Sequence, residues 1–290
     1  MSLTSLTKYS KVKSDSNYNN VFLLMGNFRI KKGDNPVIAA AIHSGHFVRD
    51  EIIDNFYLAE NERYREEDPF TDEFIEFAPT QIIVNTSRFE FDLNRPEDKA
   101  VYIAPEDAWG LTIWKEIPSK DVIKHSLRLY KKFYDNIKIM ISEHVNNYKK
   151  VFIYDVHSYN HRRNGSDAPP DEPLKNPDIN IGTGNIDNVY WRELIKDFMN
   201  DLAEFDFKND KPDIRENVKF RGGYFSKWIN ENFGNDVCVL SIEIKKNFMD
   251  EWTGEVYEDK VTLIKNALAS TMPKVLQNLE KKIVAQQRAD

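Results

Sequence analysis

Short apolar runs, each cut off by a glycine, a histidine or a polar cluster, recur along the chain and predict buried strands at 21–25 (VFLLM), 37–42 (VIAAAI), 81–84 (QIIV), 151–156 (VFIYDV) and 237–244 (VCVLSIEI). In 87–95 (SRFEFDLNR), Phe89, Phe91 and Leu93 alternate with Glu90, Asp92 and Asn94, a strand periodicity. Between these runs the spacing turns helical. Residues 49–77 are acidic, with Ile52, Ile53, Phe56 and Tyr57 as an apolar face and the charges as a solvated surface. Ser119 is placed to cap a long helix to about residue 148, faced by Val122, Leu129, Phe133, Ile137, Ile141 and Val145. Trp191, Leu194, Ile195, Phe198 and Leu202 mark a helix over 189–205. A glycine turn opens a shorter helix in 221–234, stopped by Gly234, and a C-terminal helix covers about 260–284. Residues 159–186 are rich in Gly, Pro, Asn and Asp and predict a long ordered loop over the strand ends. Residues 1–20 read as a loosely held polar arm.

Strands alternating with long helices predict an α/β sandwich around a mixed, largely parallel sheet. No repeat or linker interrupts the 290 residues, so one domain over 1–290 is expected. A hydrophobic fraction of 41% is ample for a large core, and a net charge of -7 opposes general nucleic-acid binding. No apolar run reaches membrane-spanning length, and the N-terminus lacks the apolar segment of a signal peptide. The one cysteine, Cys238, sits in an apolar strand as a small core residue, so the expected setting is a reducing cytoplasm.

Candidate chemistry collects at the carboxyl ends of the strands, where sites in such sheets lie. His43 and His46 share one turn after VIAAAI, and His157 ends VFIYDV. Three imidazoles with a fourth position open are the pattern of a catalytic zinc, one per chain. Glu243 is a lone acid in VCVLSIEI; it is either the carboxylate that moves the proton or a partner of Lys245 or Lys246. Asp155, two residues before His157, points to the same side of its strand and either orients that imidazole or simply ends the strand. Arg88, Arg95, Arg162, Arg163 and Arg221 supply local positive charge in an acidic protein, which implies a small anionic substrate. His125 and His144 read as surface or packing residues.

Taken together and in order, IHSGH, SRFEFDLNR, YDVHS, DINIGTGN, RGGYF and LSIEIKKNFM resemble the N-formylglutamate amidohydrolase family, over about residues 37–250. That family is related in fold to zinc carboxypeptidases and aspartoacylases, which implies a three-layer α/β/α sandwich. The resemblance implies His43 and His157 as zinc ligands, Glu243 as general base and acid, Arg88 at the scissile carbonyl, and Asn94 with Arg95 on a substrate carboxylate. His46 stands where the carboxypeptidase relatives have a glutamate ligand, which leaves Glu51 as the other candidate. The implied reaction is hydrolysis of N-formyl-L-glutamate to formate and glutamate. Another N-acyl amino acid, a peptide carboxyl terminus, or a non-catalytic anion-binding role are the competing expectations.

Overall fold

The computed structural model describes residues 22–24, 26–208 and 210–289, so the expected arm at 1–20 lies outside the described residues. Among the described residues, eight strands form one mixed sheet in the order β1-β2-β4-β3-β5-β8-β6-β7. The strands are β1 (Phe22–Leu24), β2 (Phe28–Lys31), β3 (Val37–Ala41), β4 (Thr80–Val84), β5 (Val151–Tyr159), β6 (Ile179–Gly182), β7 (Ile214–Glu216) and β8 (Val237–Lys245). The central four, β4, β3, β5 and β8, run parallel. β2 and β6 flank them antiparallel. Because β3, β5 and β8 are neighbours in parallel, their carboxyl ends open on one edge, and His157 stands in register with Glu243.

The helices are α1 (Asp50–Ile53), α2 (Glu60–Glu66), α3 (Thr71–Phe74), α4 (Lys120–Tyr148), α5 (Arg192–Glu204), α6 (Tyr224–Phe233) and α7 (Glu258–Ala289). Ser119 does cap α4, its hydroxyl accepting from the Val122 N–H at 3.4 Å. On one face of the sheet, even-numbered side chains of β5 meet α5 and α7: Phe152 packs on Phe198 with ring centroids 5.9 Å apart, and Tyr154 hydrogen-bonds Thr271 at 2.8 Å. The strand pleat turns Ile153, Asp155 and His157 to the other face. There α4 and α6 close the third layer, Tyr134 lying 4.7 Å from Trp228.

Several segments depart from expectation. β2, β6 and β7 are strands where none was predicted, β6 inside the stretch read as a loop. The helical pattern of residues 49–77 is divided among three short helices; Pro69 and Phe70, the latter left-handed at φ 67°, separate α2 from α3. Residues 87–95 are turns, not a strand. Their alternation fails as a guide because both faces are buried: Glu90 and Asp92 are fully enclosed with Phe89 and Phe91, each acid paired to an arginine. No helix among the described residues is long and apolar enough to cross a membrane.

Candidate active site

Three buried side chains, His43, Asp68 and His157, offer ligand atoms that all lie within 4.8 Å of one another. His43 leaves the end of β3 and His157 projects from β5, while Asp68 comes from the break between α2 and α3. The Asp68 backbone N–H donates to the His43 carbonyl at 3.0 Å, which ties that break to the sheet edge.

Each imidazole is held from behind by a buried aspartate. His43 Nε2 donates to Asp92 Oδ1 at 2.7 Å, and His157 Nε2 donates to Asp155 Oδ1 at 2.9 Å. A proton fixed on Nε2 leaves the Nδ1 lone pair for a ligand. Both Nδ1 atoms face Asp68 Oδ2, at 3.5 Å from His43 and 3.1 Å from His157. His43 Nδ1 is buried and has no hydrogen-bond partner. Two oriented nitrogens, one of them a buried lone pair without a partner, and one carboxylate fit a divalent metal such as zinc. Burial disfavours the His157 imidazolium, yet Asp155 and Asp68 outweigh it and hold its pKa well above the ordinary value. The same imidazoles hold the Asp68 carboxyl well below the usual range against the effect of its burial.

His46 is not part of this cluster. Gly45 passes so close to the Asn85 carbonyl that a Cβ there would meet it at 2.3 Å, and the chain then turns His46 away. Its Nδ1 bonds Glu67 Oε2 at 2.5 Å, which raises its pKa, and its Nε2 reaches Glu60 at 3.4 Å. The third place in the cluster, expected of His46, is occupied by the Asp68 carboxylate. Glu51 is no substitute either, being paired with Arg49 and, at 3.1 Å, with His125. His144 is a packing residue, bonded to Thr80 at 3.2 Å and the Met140 carbonyl at 3.0 Å.

The cluster opens into a cavity of about 330 Å³. Glu243 lines it beside His157, paired with neither lysine that follows it: Lys245 holds Asp178 at 2.6 Å, and Lys246 donates to the Arg65 and Glu67 carbonyls at 2.5 and 2.6 Å. Burial pushes the Glu243 carboxyl up to about 7. Lys246 in turn pins the chain just before Asp68.

A sequence model of the N-formylglutamate amidohydrolase family matches residues 35–249. The chain belongs to that family. It is accordingly a hydrolase acting on an amide, and the match runs from just before β3 to just past β8, enclosing every group named above. The fold is similar to that of the N-formylglutamate amidohydrolase from Ralstonia eutropha JMP134, with a TM-score of 0.69 and 16% identity over 89% of this chain and 100% of that one. A gene product of Agrobacterium tumefaciens gives a TM-score of 0.63 and 16% identity over 88% and 96% of the two chains. A putative carboxypeptidase A from Shewanella denitrificans OS-217 aligns with a TM-score of only 0.37. No curated protein matches the sequence.

The amidohydrolase motif at 87–95 owes its shape to Asp92, which sequence reasoning passed over. Its Oδ1 accepts from His43 Nε2 and, at 2.6 Å, from the Asn94 N–H; its Oδ2 accepts from Arg88 Nη2 at 2.7 Å and from the Tyr102 hydroxyl. Burial alone would raise this carboxyl, but Arg88 and His43 hold its pKa well below the carboxylate range. Arg88 lines the cavity against Trp109, its guanidinium 4.8 Å from the ring centroid, and its buried Nε–H has no partner. Asn94 and Arg95 also line the cavity; the Asn94 Oδ1 caps α6 by accepting from the Phe225 N–H at 3.0 Å, which leaves its amide nitrogen for a ligand.

Of the loop arginines, Arg163 and Arg221 line the cavity, Arg163 paired with Glu66 at 3.1 Å. Arg162 does not line it. Its side chain turns to the Ser166 carbonyl and to Asp250 at 3.5 Å, because Glu251 accepts both the His161 and Arg162 backbone N–H groups and fixes the turn that way round. The His161 ring lies against Glu251 and outside the cavity.

Proposed function

We propose that the chain hydrolyses the N-acyl bond of an N-acyl amino acid, with N-formyl-L-glutamate and water giving formate and L-glutamate. We further assign one zinc ion to His43, Asp68 and His157. The observation that carries the reading is the pair of aspartate-backed imidazoles aimed at one buried carboxylate, beside a carboxyl poised near neutrality and a wall of cations. Zinc at such a donor set supplies Lewis acidity, making water more acidic and a carbonyl more electrophilic.

The remaining steps fall to the chain itself. Glu243 removes a proton from water as its oxygen adds to the formyl carbon, and returns that proton to the amide nitrogen as the C–N bond breaks. Arg88 donates its unpartnered N–H to the oxyanion of the tetrahedral intermediate. The Asn94 amide and Arg95 hold the substrate α-carboxylate, and Arg163 and Arg221 add positive potential. A cytoplasmic setting, with neither nucleic acid nor membrane as partner, belongs to the same proposal.

The test is elemental analysis of the purified protein followed by formate release from N-formyl-L-glutamate with and without a chelator. One zinc per chain and chelator-sensitive release are expected. Glu243→Gln should lower turnover by about 10²- to 10⁴-fold, the usual contribution of general acid–base catalysis, with zinc retained. A fully active variant, or activity in metal-free protein, refutes the mechanism.

A further inference from the structure

The stretch DINIGTGN contributes nothing to the metal cluster, yet it is built tightly against another wall of the same cavity. Asn180, fully buried on β6, accepts the N–H groups of Val218 and Lys219 at 3.0 and 2.9 Å and donates from Nδ2 to the Phe220 carbonyl at 2.8 Å. Gly184 donates its N–H to the Arg221 carbonyl at 2.7 Å. A Cβ at position 184 would sit 2.9 Å from the Arg221 Cβ, so a side chain there would displace the arginine. The backbone of 218–221 is therefore fixed residue by residue, and what it carries to the cavity wall is Lys219, Phe220 and Arg221, two of them cations.

Of the cations that line the cavity, Arg88 and Arg163 are paired with Asp92 and Glu66, whereas among the described residues no carboxylate forms an ion pair with Lys219, Arg221 or Arg95, the last of which is assigned above to the α-carboxylate. The Lys219 ammonium lies 5.0 Å from the Tyr159 ring centroid and donates to the side-chain oxygen of Asn176, a neutral acceptor. Lys219 is half-buried and Arg221 exposed; a half-buried cation on a fixed backbone, without a counter-charge, is unfavourable in isolation and suited to an incoming anion.

We propose that the 218–221 wall is the subsite for a second carboxylate, on the side chain of the N-acyl amino acid, and that Lys219 is its specificity-determining residue. The assignment rests on the function proposed above, in which Asn94 and Arg95 take the α-carboxylate. It makes the enzyme selective for N-acyl dicarboxylic amino acids over neutral analogues of the same shape.

The experiment compares kcat/KM for N-formyl-L-glutamate and N-formyl-L-glutamine in the zinc-loaded wild type, Lys219→Met and Lys219→Arg, with calorimetric binding of glutarate and butyrate to each. The preference for the acidic substrate should fall by about 10- to 100-fold in Lys219→Met, the worth of one charged hydrogen bond, and largely survive in Lys219→Arg. Glutarate should lose affinity in parallel while butyrate does not. An unchanged preference in an active Lys219→Met overturns the subsite and leaves the amidohydrolase reading standing. A wild type that hydrolyses neither substrate refutes that reading, and glutarate binding then decides the subsite alone: selective binding lost in Lys219→Met supports it, and equal binding of both acids overturns it.

Discussion

Replacing Asp92 by Asn changes almost no volume and ought to be severe. Four donors converge on the carboxylate, two on each oxygen: His43 Nε2–H and the Asn94 N–H on Oδ1, Arg88 Nη2–H and the Tyr102 hydroxyl on Oδ2. An asparagine must turn its NH₂ toward one pair. Turned toward Arg88, it opposes a donor that cannot become an acceptor. Turned toward His43, it forces the imidazole to accept at Nε2 and carry its proton on Nδ1, the atom meant for the metal, while still clashing with the Asn94 N–H. In both orientations Arg88, nearly enclosed, loses its counter-charge. Breaking a buried pair by removing one partner costs about 3–5 kcal/mol, a large share of a typical total stability of about 5–15 kcal/mol. Loss of the carboxylate behind His43 should weaken zinc binding by about 10- to 100-fold. Urea denaturation of the metal-free protein reads the first effect, and competition with a chromophoric chelator reads the second. A variant within about 1 kcal/mol of wild type and unchanged in zinc affinity would show that the Asp92 network holds neither the fold nor the ligand.

Two further outcomes follow from the same geometry. The raised pKa of His157 means that, without metal, the imidazole keeps its proton well above pH 6.5, so zinc must displace it; apparent affinity should rise with pH by about tenfold per unit for one displaced proton and flatten once the raised pKa is passed. A pH-independent affinity between pH 6 and 7, measured by competition titration, contradicts this. Lys246→Met strands the Arg65 and Glu67 carbonyls that precede Asp68; it should cost about 1–3 kcal/mol in denaturant unfolding and weaken zinc binding with it, and an unaffected metal affinity would mean that Asp68 is positioned by other contacts.

The sheet and the strand-end location of the chemistry are legible in the sequence because continuous apolar runs stop at or near the ends of β3, β5 and β8. Glu243 is legible for an energetic reason, since a lone acid in a buried strand needs a function or a partner. The same reasoning applies to Asp92, but its alternation with Phe89, Phe91 and Leu93 imitates a half-exposed strand, and periodicity then reports exposure where the structure has pairing. Asp68 is hidden differently. It lies in an acidic stretch whose charges resemble a solvated helix face, and the signal that separates it from them is Pro69, which breaks the helix and turns one carboxylate inward. His46 was misplaced because proximity in sequence to His43 says nothing about which side of the Gly45 turn a ring occupies.

The two imidazoles reach the same orientation by unequal routes. His157 is backed by Asp155 on its own strand, and Asp155 is steadied by the Ser241 hydroxyl at 3.0 Å on the adjacent strand, so that half of the centre forms with the sheet itself. His43 is backed by Asp92, which is distant in sequence and lies in a segment of turns, and whose own place depends on Arg88, Tyr102 and the Asn94 backbone. That segment also carries the groups assigned to the substrate. One buried carboxylate thus neutralises the arginine proposed to face the scissile carbonyl and sets the tautomer of the histidine proposed to hold the metal. Changes at Arg88 and at His43 therefore cannot act independently, since each removes a partner that Asp92 shares with the other. On the proposed assignment, the metal side and the substrate side of the cavity are coupled through Asp92, which itself is assigned to neither ligand.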